Sequence, residues 1–207
     1  MLDGPAEVSL RSPVPLDTPL DLVRERDESI RALDGEVLVA EARAVSQVDV
    51  EMPPPVSVRE ARLAATRYRG KADGVFSRCF VCGRAREDAF GVFAGEVYDR
   101  DLVASPWTPP IWTANVDGLV GPEFVWAVLD CPTYFASYGG QADLKPSVLA
   151  QLTAGIEGPV RAGEEQVVIA WPIGIDGRKR HAGSALLAPD GEPLAVARAL
   201  LIEPREN

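Results

Sequence analysis

Histidine is nearly missing from this 207-residue chain: His181 is the only one, beside three cysteines and two methionines. A single histidine argues against mechanisms that need two, and against most histidine-built metal sites. Three cysteines is too few, and an odd number, for a disulfide framework, so reduced thiols are expected. No apolar run approaches the roughly 18 residues that cross a bilayer, so no membrane partner is expected. The opening MLDGPAEVSL has neither a basic nor an apolar signal region, which points to a cytoplasmic protein. Cations are also scarce. Lys and Arg number 21 against 31 Asp and Glu, for a net charge of −10. Binding nucleic acid means neutralising phosphates, so no nucleic-acid partner is expected, although a local basic patch for one phosphorylated small molecule is not excluded.

What the sequence does contain is an echo. DGEVLVAEARA (34–44) returns as DGEPLAVARA (190–199), and the upstream LRSPVPLDTPLDL (10–22) returns as IEGPVRAGEEQVV (156–168). Both upstream copies run apolar residue, two residues, Pro-Val, a turn-like stretch and then an apolar segment. Residues 6–50 read as three or four antiparallel strands with a hairpin at Asp34-Gly35. Met52–Val58 carries three consecutive prolines and cannot continue a sheet. Val58–Tyr68 reads as a short helix, and the following RGKADGVFSRCFVCGRAREDAFG as loop. Two short strands then meet at YDRD (98–101). A helix starts at Gly121-Pro122, where the missing N–H of proline is not needed. Phe124, Val125, Val128 and Leu129 recur at helical spacing, and Gly139-Gly140 closes the segment. This helix is apolar nearly all round and should be buried. Three or four strands follow from Val148.

One buried helix with a curved antiparallel sheet is the hot-dog architecture, an α+β fold. The expected organisation is a partial hot-dog unit of strands only (1–50), a Pro-rich linker with a CxxC loop (51–90), and a complete unit (91–207). The chain resembles the hot-dog thioesterase superfamily through CFVCG (79–83), ASPWTP (104–109), LDCP (129–132) and GRKRHAGSA (177–185). Its helix can also be set beside the phenylacetyl-CoA type of thioesterase, whose pattern is His-Gly-Gly, six residues, Asp. Asp130 matches that Asp, while Gly121, Pro122 and Glu123 replace His-Gly-Gly.

The resemblance implies hydrolysis of an acyl-CoA thioester, with Asp130 as base or nucleophile and the backbone N–H near Glu123 as oxyanion donor. The alternative is a degenerate hot-dog protein that binds an acyl-CoA or serves in assembly. By sequence alone, Asp130 could instead cap a turn after a helix broken by Pro132. Glu123 could simply complement the helix dipole. Arg178, Lys179 and Arg180 suit the phosphates of coenzyme A, or form a solvated turn. Tyr134 could line an acyl pocket or pack in the core. Cys79 and Cys82 make half of a zinc site. Cys131 and His181 would complete it only if the fold gathered them; otherwise the two loop cysteines pack as small apolar groups. No metal or redox cofactor is expected. His181 and Ser184 should face opposite sides of their strand. The N-terminal half-unit is expected to supply the neighbouring unit within the chain, as a pseudo-dimer with one helix, and further homodimerisation through sheet edges stays open.

Overall fold

The computed structural model describes residues 4–139, 141 and 143–205; Gly140, expected at the helix end, lies outside them. Ten strands form one antiparallel sheet: β1 (Ala6–Leu10), β2 (Asp21–Arg24), β3 (Ile30–Asp34), β4 (Val37–Ala44), β5 (Gly95–Glu96), β6 (Val103–Trp107), β7 (Val148–Ile156), β8 (Gln166–Asp176), β9 (Lys179–Leu187) and β10 (Pro193–Ile202). Two α-helices accompany them, α1 (Val58–Ala65) and α2 (Pro122–Ser137).

The strand order β2-β3-β4-β1-β7-β10-β9-β8-β6-β5 explains the sequence echo. Reading outward from the β1–β7 junction, one side runs β1, β4, β3, β2 and the other β7, β10, β9, β8. Aligning Leu10 with Ile156 makes Glu7 the counterpart of Thr153, and those two residues are paired across the junction. Ala6 faces Ala154 and Val8 faces Leu152, which is the swapped pairing a local twofold axis requires. The two copies thus meet edge to edge in one chain, and the first copy has strands but no helix of its own.

On the second copy, side chains alternate between two cores. Val168 and Ala170 of β8 face α2, whereas Val167, Ile169 and Trp171 face α1. That period of two is why β8 reads as a continuous apolar run: both its faces are covered. Ala195, Ala197 and Ala199 of β10 belong to the core beneath α2, where small side chains let the helix approach the sheet.

Helix α1 starts with a full capping box: the Ser57 hydroxyl accepts from the Glu60 N–H, and the Glu60 carboxylate accepts from the Ser57 N–H. It buries Ala61 and Ala64 and lies so close to β5 that a Cβ on Gly95 would sit 1.9 Å from the Ala64 carbonyl oxygen. Gly95→Ala is therefore expected to push α1 off the sheet and cost about 1–3 kcal/mol, read as a lower denaturation midpoint with unchanged slope.

Helix α2 takes Gly121 as N-cap and Pro122 in its first turn. It continues through Pro132 without ending there, so the alternative in which Asp130 caps a turn after a broken helix does not hold. The hydroxyl of the fully buried Ser184 on β9 donates to the Leu129 carbonyl at 2.7 Å, tying sheet to helix at that turn.

Candidate functional site

The helix face turned away from the sheet carries Glu123, Ala127, Asp130, Cys131 and Tyr134, at spacings of three, four and seven. Glu123 is exposed, and its carboxylate folds back over Gly121. No described side chain caps this N-terminus. Asp130 is half-buried, and among the described residues its carboxylate makes no hydrogen bond or ion pair. Burial, helped by negative charge on Cys79, raises its pKa to about 7. At 1.5 Å of rise per residue, Glu123 and Asp130 stand about 10 Å apart along the axis. One thioester carbonyl therefore cannot meet the Glu123 N–H and the Asp130 carboxylate of the same helix at hydrogen-bond distance.

The segment 66–94 has no strand or α-helix and lies on this open face of α2. Tyr68 stacks edge-on against Phe135 at 4.8 Å, Phe76 against Tyr134 at 4.9 Å, and Phe90 against Phe124 at 5.9 Å. Among these rings the Cys79 Sγ lies 3.3 Å from the Cys131 Sγ. The Sγ atoms of Cys79, Cys82 and Cys131 all fall within 4.8 Å of one another. Contacts with Cys131 and Cys82, together with backbone N–H groups, hold Cys79 well below the usual thiol range. Cys82 is pushed up to about 12: the Cys131 contact pulls it down, but the Cys79 contact and burial outweigh that.

A cavity of about 440 Å³ opens one turn further along α2. Tyr134 and Phe135 form its helix wall, with Phe76, Leu144, Arg69 and Lys71 opposite. The Tyr134 hydroxyl donates to the Lys145 carbonyl at 3.0 Å, which fixes the ring. Arg69 is engaged by the Tyr138 and Gln141 carbonyls and by Glu96, and Lys71 is exposed.

The basic run is divided. Arg178 and Lys179 are exposed, with Arg178 donating to the Glu203 carbonyl at 2.6 Å. Arg180 is buried, its guanidinium spent on Glu203 and the Ser137 carbonyl and stacked 3.7 Å from the centre of the Tyr138 ring. The solvated-turn picture therefore fails for Arg180, and so does a guanidinium free to take a phosphate. His181 faces a surface groove with Gln151, Thr153 and Arg198, whereas Ser184 faces α2. The fold thus gathers Cys131 with the CxxC pair and leaves His181 out. Sequence reasoning did not find the cavity walls at Arg69, Lys71 and Phe76: they come from an irregular loop with no periodicity to read.

No protein-family model matches the chain, and no curated protein matches it. Solved structures do. The tesB protein of Mycobacterium avium subs paratuberculosis aligns over 97% of this chain and 78% of its own, at 14% identity and a TM-score of 0.57. A thioesterase superfamily protein aligns over 59% of each chain at 22% identity and a TM-score of 0.53, so this chain spans under two thirds of it. Zebrafish thioesterase superfamily member 2 aligns over 72% of this chain and 99% of its own, at 12% identity and a TM-score of 0.51. These likenesses establish the fold: the chain has the hot-dog fold of thioesterase superfamily proteins.

Proposed function

We propose that this chain is a cytoplasmic acyl-CoA thioester hydrolase in which Asp130 acts as base or nucleophile and Tyr134 helps bound the acyl pocket. The observation that carries this reading is the Asp130 carboxylate, unpartnered among the described residues at the middle of the central helix. A desolvated carboxylate with no structural partner is costly, and such groups concentrate at functional sites. The cavity one turn away is of a size that holds a small acyl chain. Lys71, Arg178 and Lys179 are among the exposed cations that would meet coenzyme A phosphates. Among the described residues, no helix is long and apolar enough to cross a membrane. The assembly that goes with this reading is a homodimer formed through sheet edges.

A second reading is binding without turnover. It is favoured by the roughly 10 Å between Asp130 and the helix N-terminus, which separates base from oxyanion donor within one chain. The deciding experiment is thiol release from short, long and aromatic acyl-CoAs, run beside calorimetry with a non-hydrolysable acyl-CoA thioether. Turnover supports hydrolysis. Saturable binding without turnover moves the assignment to the binding protein. Neither binding nor turnover would remove both.

A further inference from the structure

An irregular stretch as long as 66–94 is uncommon inside a compact domain and needs something specific to hold it. Independent features meet at one point on it. Cys79 and Cys82 flank a tight turn in which the Gly83 N–H donates to the Cys79 carbonyl at 2.9 Å and the Val81 N–H points at the Cys79 Sγ at 3.4 Å. A Cβ on Gly83 would lie 2.5 Å from the Cys79 carbonyl oxygen, so the turn requires glycine. Helix α2 supplies the third sulfur, from Cys131, 3.3 Å from that of Cys79.

Thiols that merely fill space have no reason to aim three sulfurs at a common point. Zinc binds thiolate at about 2.3 Å in tetrahedral geometry, which sets bound sulfurs roughly 3.8 Å apart. The separations here, from 3.3 Å up to at most 4.8 Å, bracket that value. We infer that Cys79, Cys82 and Cys131 form a three-thiolate site for a soft divalent metal ion of the zinc class, which fastens the 66–94 loop to α2.

No other His, Cys, Asp or Glu among the described residues joins this group at that spacing. The fourth position is therefore left to water or a small donor, as in sites with an open coordination position. Cys82 is buried, while Cys79 and Cys131 are only half-buried and give an ion access. The surroundings suit a metal thiolate. The Val81 amide donates to sulfur, and Arg86, stacked over Phe80 and paired with Asp88, brings positive charge toward Cys79. Such outer partners orient ligands and tune a metal site. This inference does not depend on the thioester reading.

The test begins with the full chain, purified under reducing conditions without chelator, and its metal content per chain by mass spectrometry. The protein is then stripped and reloaded with Co²⁺. The expected result is one metal per chain and sulfur-to-cobalt charge-transfer absorption. Cys131→Ser should lower affinity by more than the 10–100-fold that loss of an outer partner costs, and reduce that absorption by about a third. Stripping should accelerate tryptic cleavage within 66–94 while the sheet's circular dichroism persists. Reduced wild-type protein that takes up neither zinc nor cobalt would overturn the inference, whether its thiols are free or a Cys79–Cys131 disulfide forms on oxidation. So would a folded Cys131→Ser protein that binds metal as tightly as wild type.

Discussion

Replacing Asp130 by Asn is expected to lower thiol release by about 10²–10⁴-fold, the range a positioned base contributes. KM should change little, and the melting temperature should stay level or rise. The split follows from what surrounds this side chain. Its carboxylate serves no described partner, so an isosteric amide leaves no described donor stranded. It caps nothing either: the helix runs through Pro132, and the Thr133 hydroxyl donates to the Asp130 carbonyl at 2.6 Å, not to its carboxylate. A structural carboxylate would give the opposite pattern, a lower melting temperature with turnover per folded molecule intact. Glu123→Gln is the contrasting variant. Its side chain is exposed and folded over Gly121, so the rate should move by no more than a fewfold. Paired kcat, KM and thermal melts for the two variants check this. A folded Asp130→Asn enzyme with unchanged kcat would remove Asp130 from the chemistry.

How much of this was legible before folding depends on the range over which each signal acts. The echo of Asp34–Ala44 in Asp190–Ala199 was readable because a hairpin turn and a period-two strand are local patterns. With the helical spacing of Phe124 to Leu129, it led to one buried helix and a curved antiparallel sheet, and the β1–β7 pairing then supplied the twofold relation that sequence could not register. The cysteines show the limit. CFVCG announces half of a ligand set, but Cys131 lies 52 positions from Cys79, and only the docking of an irregular loop onto α2 brings the sulfurs together. GRKR shows the reverse error. Three charged letters beside a turn read as solvated or phosphate-binding, yet alternation along β9 sends Lys179 out and Arg180 in. The carboxylate waiting for it, Glu203, comes just after the last strand, where no pattern links it to residue 180.

That buried pair carries the other large expected effect. Arg180→Ala should cost about 3–5 kcal/mol, as breaking one side of a buried ion pair does, and should lower the melting temperature by about 10 °C or more. The guanidinium donates to Glu203 Oε1 from Nε at 2.6 Å, with Nη2 at 2.5 Å, and from Nη1 to the Ser137 carbonyl at 2.9 Å. Ser137 ends α2, so that carbonyl is one of the last-turn acceptors without an intrahelical partner, at the negative end of the helix. Glu203 also accepts from the Tyr138 hydroxyl at 3.0 Å, and Tyr138 bonds Ser147 at 2.7 Å. One guanidinium therefore ties together β9, the end of α2, the chain leaving α2 and the residue after β10. Arg180→Lys should recover little, because a point charge can neither bridge two acceptors nor stack on Tyr138. Burial alone would push the Glu203 carboxyl up, but its bonds from Arg180 and Tyr138 outweigh that and hold it below its ordinary value. Its contribution is then present above the unfolded carboxylate range and lost as pH falls through the lower folded value. The melting-temperature gap between wild type and Glu203→Gln should accordingly narrow on acidification. Removing both partners, as Arg180→Leu with Glu203→Leu, should cost less than the two single changes added. The competing view, with Arg180 as a phosphate ligand, expects a stable Arg180→Ala protein whose only defect is a raised KM for acyl-CoA. Melts and steady-state kinetics on that one variant separate the two.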